Sequence, residues 1–174
     1  MTTTATRTLA GIALLAGALA ITPATANAAT GPSATATDTA SAAHAQAPKE
    51  WGVYYAPGRG AKAYGKLSAA PKDRLSDPTP LVKVTGTVVD LKRSRSSCGW
   101  AIFNISYDDG KNNVPSTKRY FINCAFGKAK KFAFQFKNVY LVEVKVCSEP
   151  RAKEPSLTCL YGGSWKNLYS HYEG

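Results

Sequence analysis

Glu143 and His171 are the side chains of this chain best suited to acid–base chemistry, with the permanently charged Arg151 between them in chain order. A carboxylate on the strand face opposite Tyr140, Val142 and Val144 would reach solvent, where it could act as a general base. His171 is the only histidine after His44, and it lies among the last residues, where chains often fray. A second chemistry is display. Cys147 and Cys159 bracket a loop in which Arg151 and Lys153 stand between Pro150 and Pro155. A disulfide-closed, proline-stiffened loop would hold a basic side chain rigid for a protease cleft, because pre-organisation lowers the entropy lost on binding. The third is charge. Lys128, Lys130, Lys131, Lys137 and Lys145 form one cationic group, and Lys92, Arg93 and Arg95 form another just before Cys98. Clustered cations gain from counterion release on a polyanion, so such binding would weaken steeply with salt.

Glu143, Arg151 and His171 follow the chain order of the strand glutamate, arginine and late histidine of small secreted microbial ribonucleases, with Tyr169 and Tyr172 beside the histidine. The chain resembles that family in order and residue type only. The family packs a helix on its sheet, and no helical period is readable here. Glu143 is more simply an outward strand residue beside Lys145. Nucleophilic triads lack a well-placed histidine, and no glycine-rich phosphate loop leads from a strand into a helix. The cysteine spacings do not give the paired motifs of a zinc site, so no metal and no cofactor are expected. Asp108-Asp109-Gly110 reads as a turn and not as a calcium loop. The inventory favours binding over catalysis.

The elements that would carry these residues begin with an export signal. Residues 1–28 have a cationic start at Arg7, an apolar run from Leu9 to Ile21, and the Ala26-Asn27-Ala28 pattern that a signal peptidase accepts. The run is too short to span a bilayer, so no stable membrane insertion is expected. Residues 29–48 are almost wholly Ala, Thr, Ser, Gly and Pro, which reads as a disordered linker. The signal removes only Arg7 from the cations and the linker removes only Asp38 from the acids. The remaining domain therefore keeps the whole net charge of +11. That is the electrostatic footprint of a protein that meets polyanions.

Residues 49–80 show no clean period and read as an irregular aromatic and basic arm, with one strand at Trp51–Tyr55. Tyr55, Arg59, Lys62, Tyr64 and Lys66 interleave rings with cations, a pattern able to stack and to pair with phosphate. The simpler reading is an arm laid across a sheet edge. Residues 81–174 are β in pattern. Val82, Val84 and Val88 alternate with Lys83, Thr85 and Thr87, and Ala101, Phe103, Ile105 and Tyr107 alternate with Ile102, Asn104 and Ser106. Phe132, Phe134 and Phe136 face one way on the clearest strand, which ends in a kink or turn at Asn138. Tyr140, Val142, Val144 and Val146 then form an inward row, with Leu141, Glu143 and Lys145 outward. Gly162-Gly163 reads as a hairpin turn between Leu157–Tyr161 and Ser164–Tyr169.

About six or seven short strands predict an all-β, immunoglobulin-like two-sheet β-sandwich. Four cysteines allow three pairings, of which Cys98 with Cys124 and Cys147 with Cys159 are preferred, each worth about 3 kcal/mol. The leader, the Cys98-Gly99-Trp100 strand start and the Val144-Lys145-Val146-Cys147 strand end resemble the small secreted disulfide-bonded β-sandwich proteins of actinomycetes. That resemblance implies fold and export and carries no assigned activity.

The expected protein is thus secreted and monomeric or weakly associating, and it recognises an anionic envelope polymer, a nucleic acid or an acidic partner. The expected surface comprises Lys92, Arg93, Arg95, Lys128, Lys130, Lys131, Lys137 and Lys145. A protease inhibitor acting through Arg151 and Lys153 is the first alternative, and a ribonuclease-like enzyme or toxin is the second.

Overall fold

A computed structural model of the chain describes residues 47–172. The leader and all but the last two residues of the linker segment lie outside them. Among the described residues seven strands form one antiparallel sheet. They are β1 (Lys49–Tyr55), β2 (Ala61–Ala69), β3 (Thr79–Asp90), β4 (Cys98–Tyr107), β5 (Ser116–Asn123), β6 (Ala129–Glu149) and β7 (Lys166–Ser170). The hydrogen-bonded order is β1-β2-β3-β6-β4-β5, with β7 also on β6.

Strand β6 organises everything else. Its first half pairs with β3 and its second half with β4, and both Thr79 and Tyr107 register with Val139. Next to that point Asn138 has φ 54°, a left-handed conformation that asparagine tolerates better than most residues with a side chain. The expected kink is therefore a bend inside one continuous strand. From the bend, β3 and β4 lie antiparallel to the two halves of β6, so their far ends Asp90 and Cys98 meet again. A Cβ added at Gly99 would sit 2.9 Å from the Ala61 side chain and 3.3 Å from the Asp90 Cα. With β3 and β6 between them, β2 and β4 could not make such a contact across a flat sheet; β6 has folded the sheet into two layers. The all-β class holds, with all strands in one hydrogen-bonded sheet because β6 serves both layers.

Between the layers lies the main core. Val82, Val84 and Val88 of β3 meet Phe103 and Ile105 of β4 and Val142 and Val144 of β6. Phe121 stacks on Phe132 at 4.4 Å, and Trp51 meets Phe103 edge-on at 5.8 Å. Each buried ring contributes about 1.5–3 kcal/mol by leaving water. The other face of β4 carries a second, smaller core of Trp100 and Ile102 with Cys98, Cys147 and Cys159. Both preferred disulfides are present, Cys98–Cys124 and Cys147–Cys159.

Two readings need correction. Residues 49–80 hold two paired strands and not one: β1 and β2 form an edge of the sheet, with a bulge in β1 between Trp51 and Tyr54. The buried positions of β2 are mostly small, Ala61, Ala63 and Ala69 with Leu67, so they carry little hydrophobic contrast. Gly65 is required there, because a Cβ would lie 2.0 Å from the Thr85 carbonyl oxygen. The second correction is that Leu157–Tyr161 is a single helical turn, α1, and not a strand. Ser156 accepts the Cys159 N–H (3.1 Å) and caps the turn, a local device that overrides the short run's ambiguous pattern. Gly162-Gly163 accordingly leads from α1 to β7 and closes no hairpin.

Candidate anion-binding surface

The two cationic groups seen in the sequence become neighbours at one end of the fold. The β3–β4 loop carries Lys92, Arg93 and Arg95, and the β5–β6 loop carries Lys128, with Lys130 just inside β6; all five are exposed. Backbone pairing joins the loops. Phe126 forms a parallel bridge with Asp90, and the Gly127 N–H donates to the Asp90 carbonyl at 2.8 Å. Gly127 takes φ 67° to make this turn, which is why glycine stands there. The buried Asn123 side chain locks the arrangement. Its amide donates to the carbonyls of Val88 (2.9 Å) and Lys128 (2.7 Å), and its oxygen accepts the Ala125 N–H (3.1 Å). Cys124 is tied to Cys98 beside it. The Lys130 ammonium reaches the Ile122 carbonyl at 2.8 Å.

The β1–β2 turn joins the same end. Leu91 donates to the Gly60 carbonyl at 3.0 Å, and Ala61 registers with Asp90. Here the Arg59 guanidinium lies 4.3 Å from the centre of the Tyr55 ring. On the other side, the Arg93 guanidinium lies 5.4 Å from the centre of the Phe126 ring. Phe126 was not singled out in the sequence. Its signal was an aromatic held between a disulfide cysteine and a glycine-lysine turn.

Charge at this end is poorly compensated. Among the described residues the only side-chain ion pair is Lys66–Glu50, 3.4 Å apart and well away on β1 and β2. Asp90 is 1% exposed; one carboxylate oxygen accepts the Lys92 N–H at 3.0 Å and the other has no hydrogen-bond partner.

The other predicted cations divide. Lys131 and Lys137 are exposed on the outer face of β6, in register with Thr87 and Leu81 of β3, and Lys83 adds an exposed cation between them. Lys145 does not belong to this surface. It is buried on the far face of the second layer, where its ammonium donates to the carbonyls of Leu160 (3.1 Å) and Gly162 (2.8 Å). The Trp165 ring closes over it, with the ammonium 4.4 Å from the ring centre. The outward-facing assignment was correct for the strand. The α1 segment then covers that face. Burial disfavours the charged form and lowers the Lys145 pKa. Lys145 also lines a groove of about 620 Å³ between Val53–Pro57 and the end of β6.

Arg151 and Lys153 are exposed on the loop after β6. The base of that loop is fastened: the Glu149 carboxylate accepts the Ser156 N–H at 2.8 Å and its hydroxyl at 2.6 Å. Because Glu149 registers with Cys98, this loop emerges toward the cationic end. Glu143 and His171 do not join Arg151 in one site. Glu143 accepts a hydrogen bond from Asn104 (3.1 Å) midway along the strand. His171 is buried at the opposite end, where its N–H donates to the Tyr140 carbonyl at 2.9 Å. From Tyr140 to Glu149 an extended strand rises roughly 30 Å, beyond the reach of side chains acting together. Comparison of the chain with protein-family models, with curated proteins and with solved structures found no match.

Proposed function

We propose that this is a secreted, non-catalytic binding protein that holds an anionic polymer against the cationic end of its β domain. One observation carries the reading: Lys92, Arg93 and Arg95 converge with Lys128 and Lys130 on loops fastened to each other, with no paired carboxylate among them. Fixed cations around one surface raise the local concentration of a polyanion and lose little freedom when it arrives. Two disulfides support an oxidising, extracellular setting. Lys131, Lys83 and Lys137 extend the surface along the outer face, and the protein acts as a monomer.

The test is binding to a labelled polyanion across a salt series. Neutralising Arg93, Arg95 and Lys128 to glutamine should weaken binding and flatten the salt slope by about one for each phosphate left without its cation. Salt-independent binding, or a slope unchanged by these variants, would remove the reading. The fastened base of the Arg151 loop favours a second reading, a protease inhibitor presenting Arg151 or Lys153. Stoichiometric loss of trypsin activity, abolished by Arg151→Ala or Lys153→Ala, is its requirement. Simple cleavage after Arg151 dismisses it.

A further inference from the structure

Resting on the binding reading above, the geometry points to a single-stranded nucleic acid as the polymer, its unpaired bases stacking on Phe126 and Tyr55. These two rings are 46% and 42% exposed on an end otherwise crowded with cations. Neither exposure comes from a loose loop. Phe126 is held by its bridge to Asp90, by the Gly127 hydrogen bond and by the Asn123 side chain next to the Cys98–Cys124 disulfide. Tyr55 ends β1 in register with Lys62 of β2, and the following turn closes through the Ala56 N–H and the Ala61 carbonyl at 2.9 Å.

A rigid ring left in water forfeits the stabilisation that burial would give it. Inside the fold, each of these rings meets a guanidinium, Arg93 on Phe126 and Arg59 on Tyr55. The end of β3 lies between them, since Asp90 registers with Ala61 on one side and bridges Phe126 on the other. Each ring thus has a phosphate-binding charge within one side chain, and Lys92 follows Asp90 between the two. This pairing of stacking platforms with cations suits a polymer that offers both π faces and phosphates. Polyphosphate and phosphate-linked envelope polymers have no aromatic face. A duplex keeps its base faces covered. Only unpaired bases use every part of the arrangement.

The experiment titrates the chain into labelled oligothymidylate and, separately, into labelled linear polyphosphate over the same salt series. Phe126→Ala and Tyr55→Ala should each weaken oligothymidylate binding roughly five- to a hundredfold, with the salt slope unchanged and polyphosphate affinity unmoved. Phe126→Trp should retain the affinity and Phe126→Leu should not, which separates stacking from loop packing. Equal binding of the two polymers, insensitive to the ring variants, would overturn the nucleic-acid assignment and leave the polyanion surface standing. Absence of binding to either polymer at low salt would overturn both.

Discussion

Arg93 and Phe126 belong to different loops, and the guanidinium of one lies 5.4 Å from the ring centre of the other. Their meeting marks where the β3–β4 and β5–β6 connections become one surface. The residue that holds them together is neither of these two but Asn123, whose side chain is buried and uses both its amide and its oxygen.

Asn123→Ala should therefore cost about 2–4 kcal/mol, since it removes three hydrogen bonds and strands buried backbone groups. Urea unfolding measures the loss. Polyanion binding under folded conditions should also weaken, because Lys128 and Phe126 lose their anchor. A variant that unfolds normally and binds normally would show that the loop holds its shape without Asn123.

Lys145→Met should cost about 1–3 kcal/mol near neutral pH, because the carbonyls of Leu160 and Gly162 lose a charged donor. The pH dependence has a definite sign. Burial lowers the folded-state pKa below the ordinary 10.5, with Glu143 opposing the shift and Lys118 adding to it. Between that lowered value and 10.5 the unfolded chain binds more protons, so stability rises with pH. The penalty for burying the charge is fully present below this window and is relieved above it. Wild type should gain on Lys145→Met as pH rises through the window, read from paired denaturation curves. No change in their difference would mean that Lys145 stays charged throughout.

Replacing both Cys147 and Cys159 with serine opens a short loop, with an expected loss of about 3 kcal/mol. Thermal unfolding should fall by roughly 10 °C for a domain of this size. Trp165 and Trp100 should report it in fluorescence, because the bridge clamps α1 over the second core. Loss of stability without any tryptophan change would place the effect in the unfolded chain alone.

Asn138→Gly should be tolerated, whereas Asn138→Val should cost about 1–2 kcal/mol because a β-branched residue resists the left-handed backbone at the bend. Denaturant midpoints for the two variants decide the matter. Equal midpoints would mean that the bend relaxes once the asparagine is removed.

Much of the fold was legible in the chain. The Phe132, Phe134, Phe136 row, the Ala101–Tyr107 alternation and the end of that strand before Asp108 all read directly, because a strand shows its two faces in every second residue. Strand β2 was missed because alanines and a glycine carry the buried face, and α1 because five residues are too few for a period. The acid–base trio shared chain order and residue type, but order along a strand says nothing about distance across it. Lys145 pointed outward as read, yet outward here faces a second core.

The sequence by itself determined the all-β class and the excess of positive charge, since these follow from local periodicity and composition; it left three cysteine pairings open, and the structure holds the preferred one. Tertiary structure alone decided that two separated cationic groups share one end, that Phe126 stands between them, and that Lys145 is withdrawn. The physical reason is the bend at Asn138. It folds one strand into two layers, and only that long-range pairing sets which loops meet.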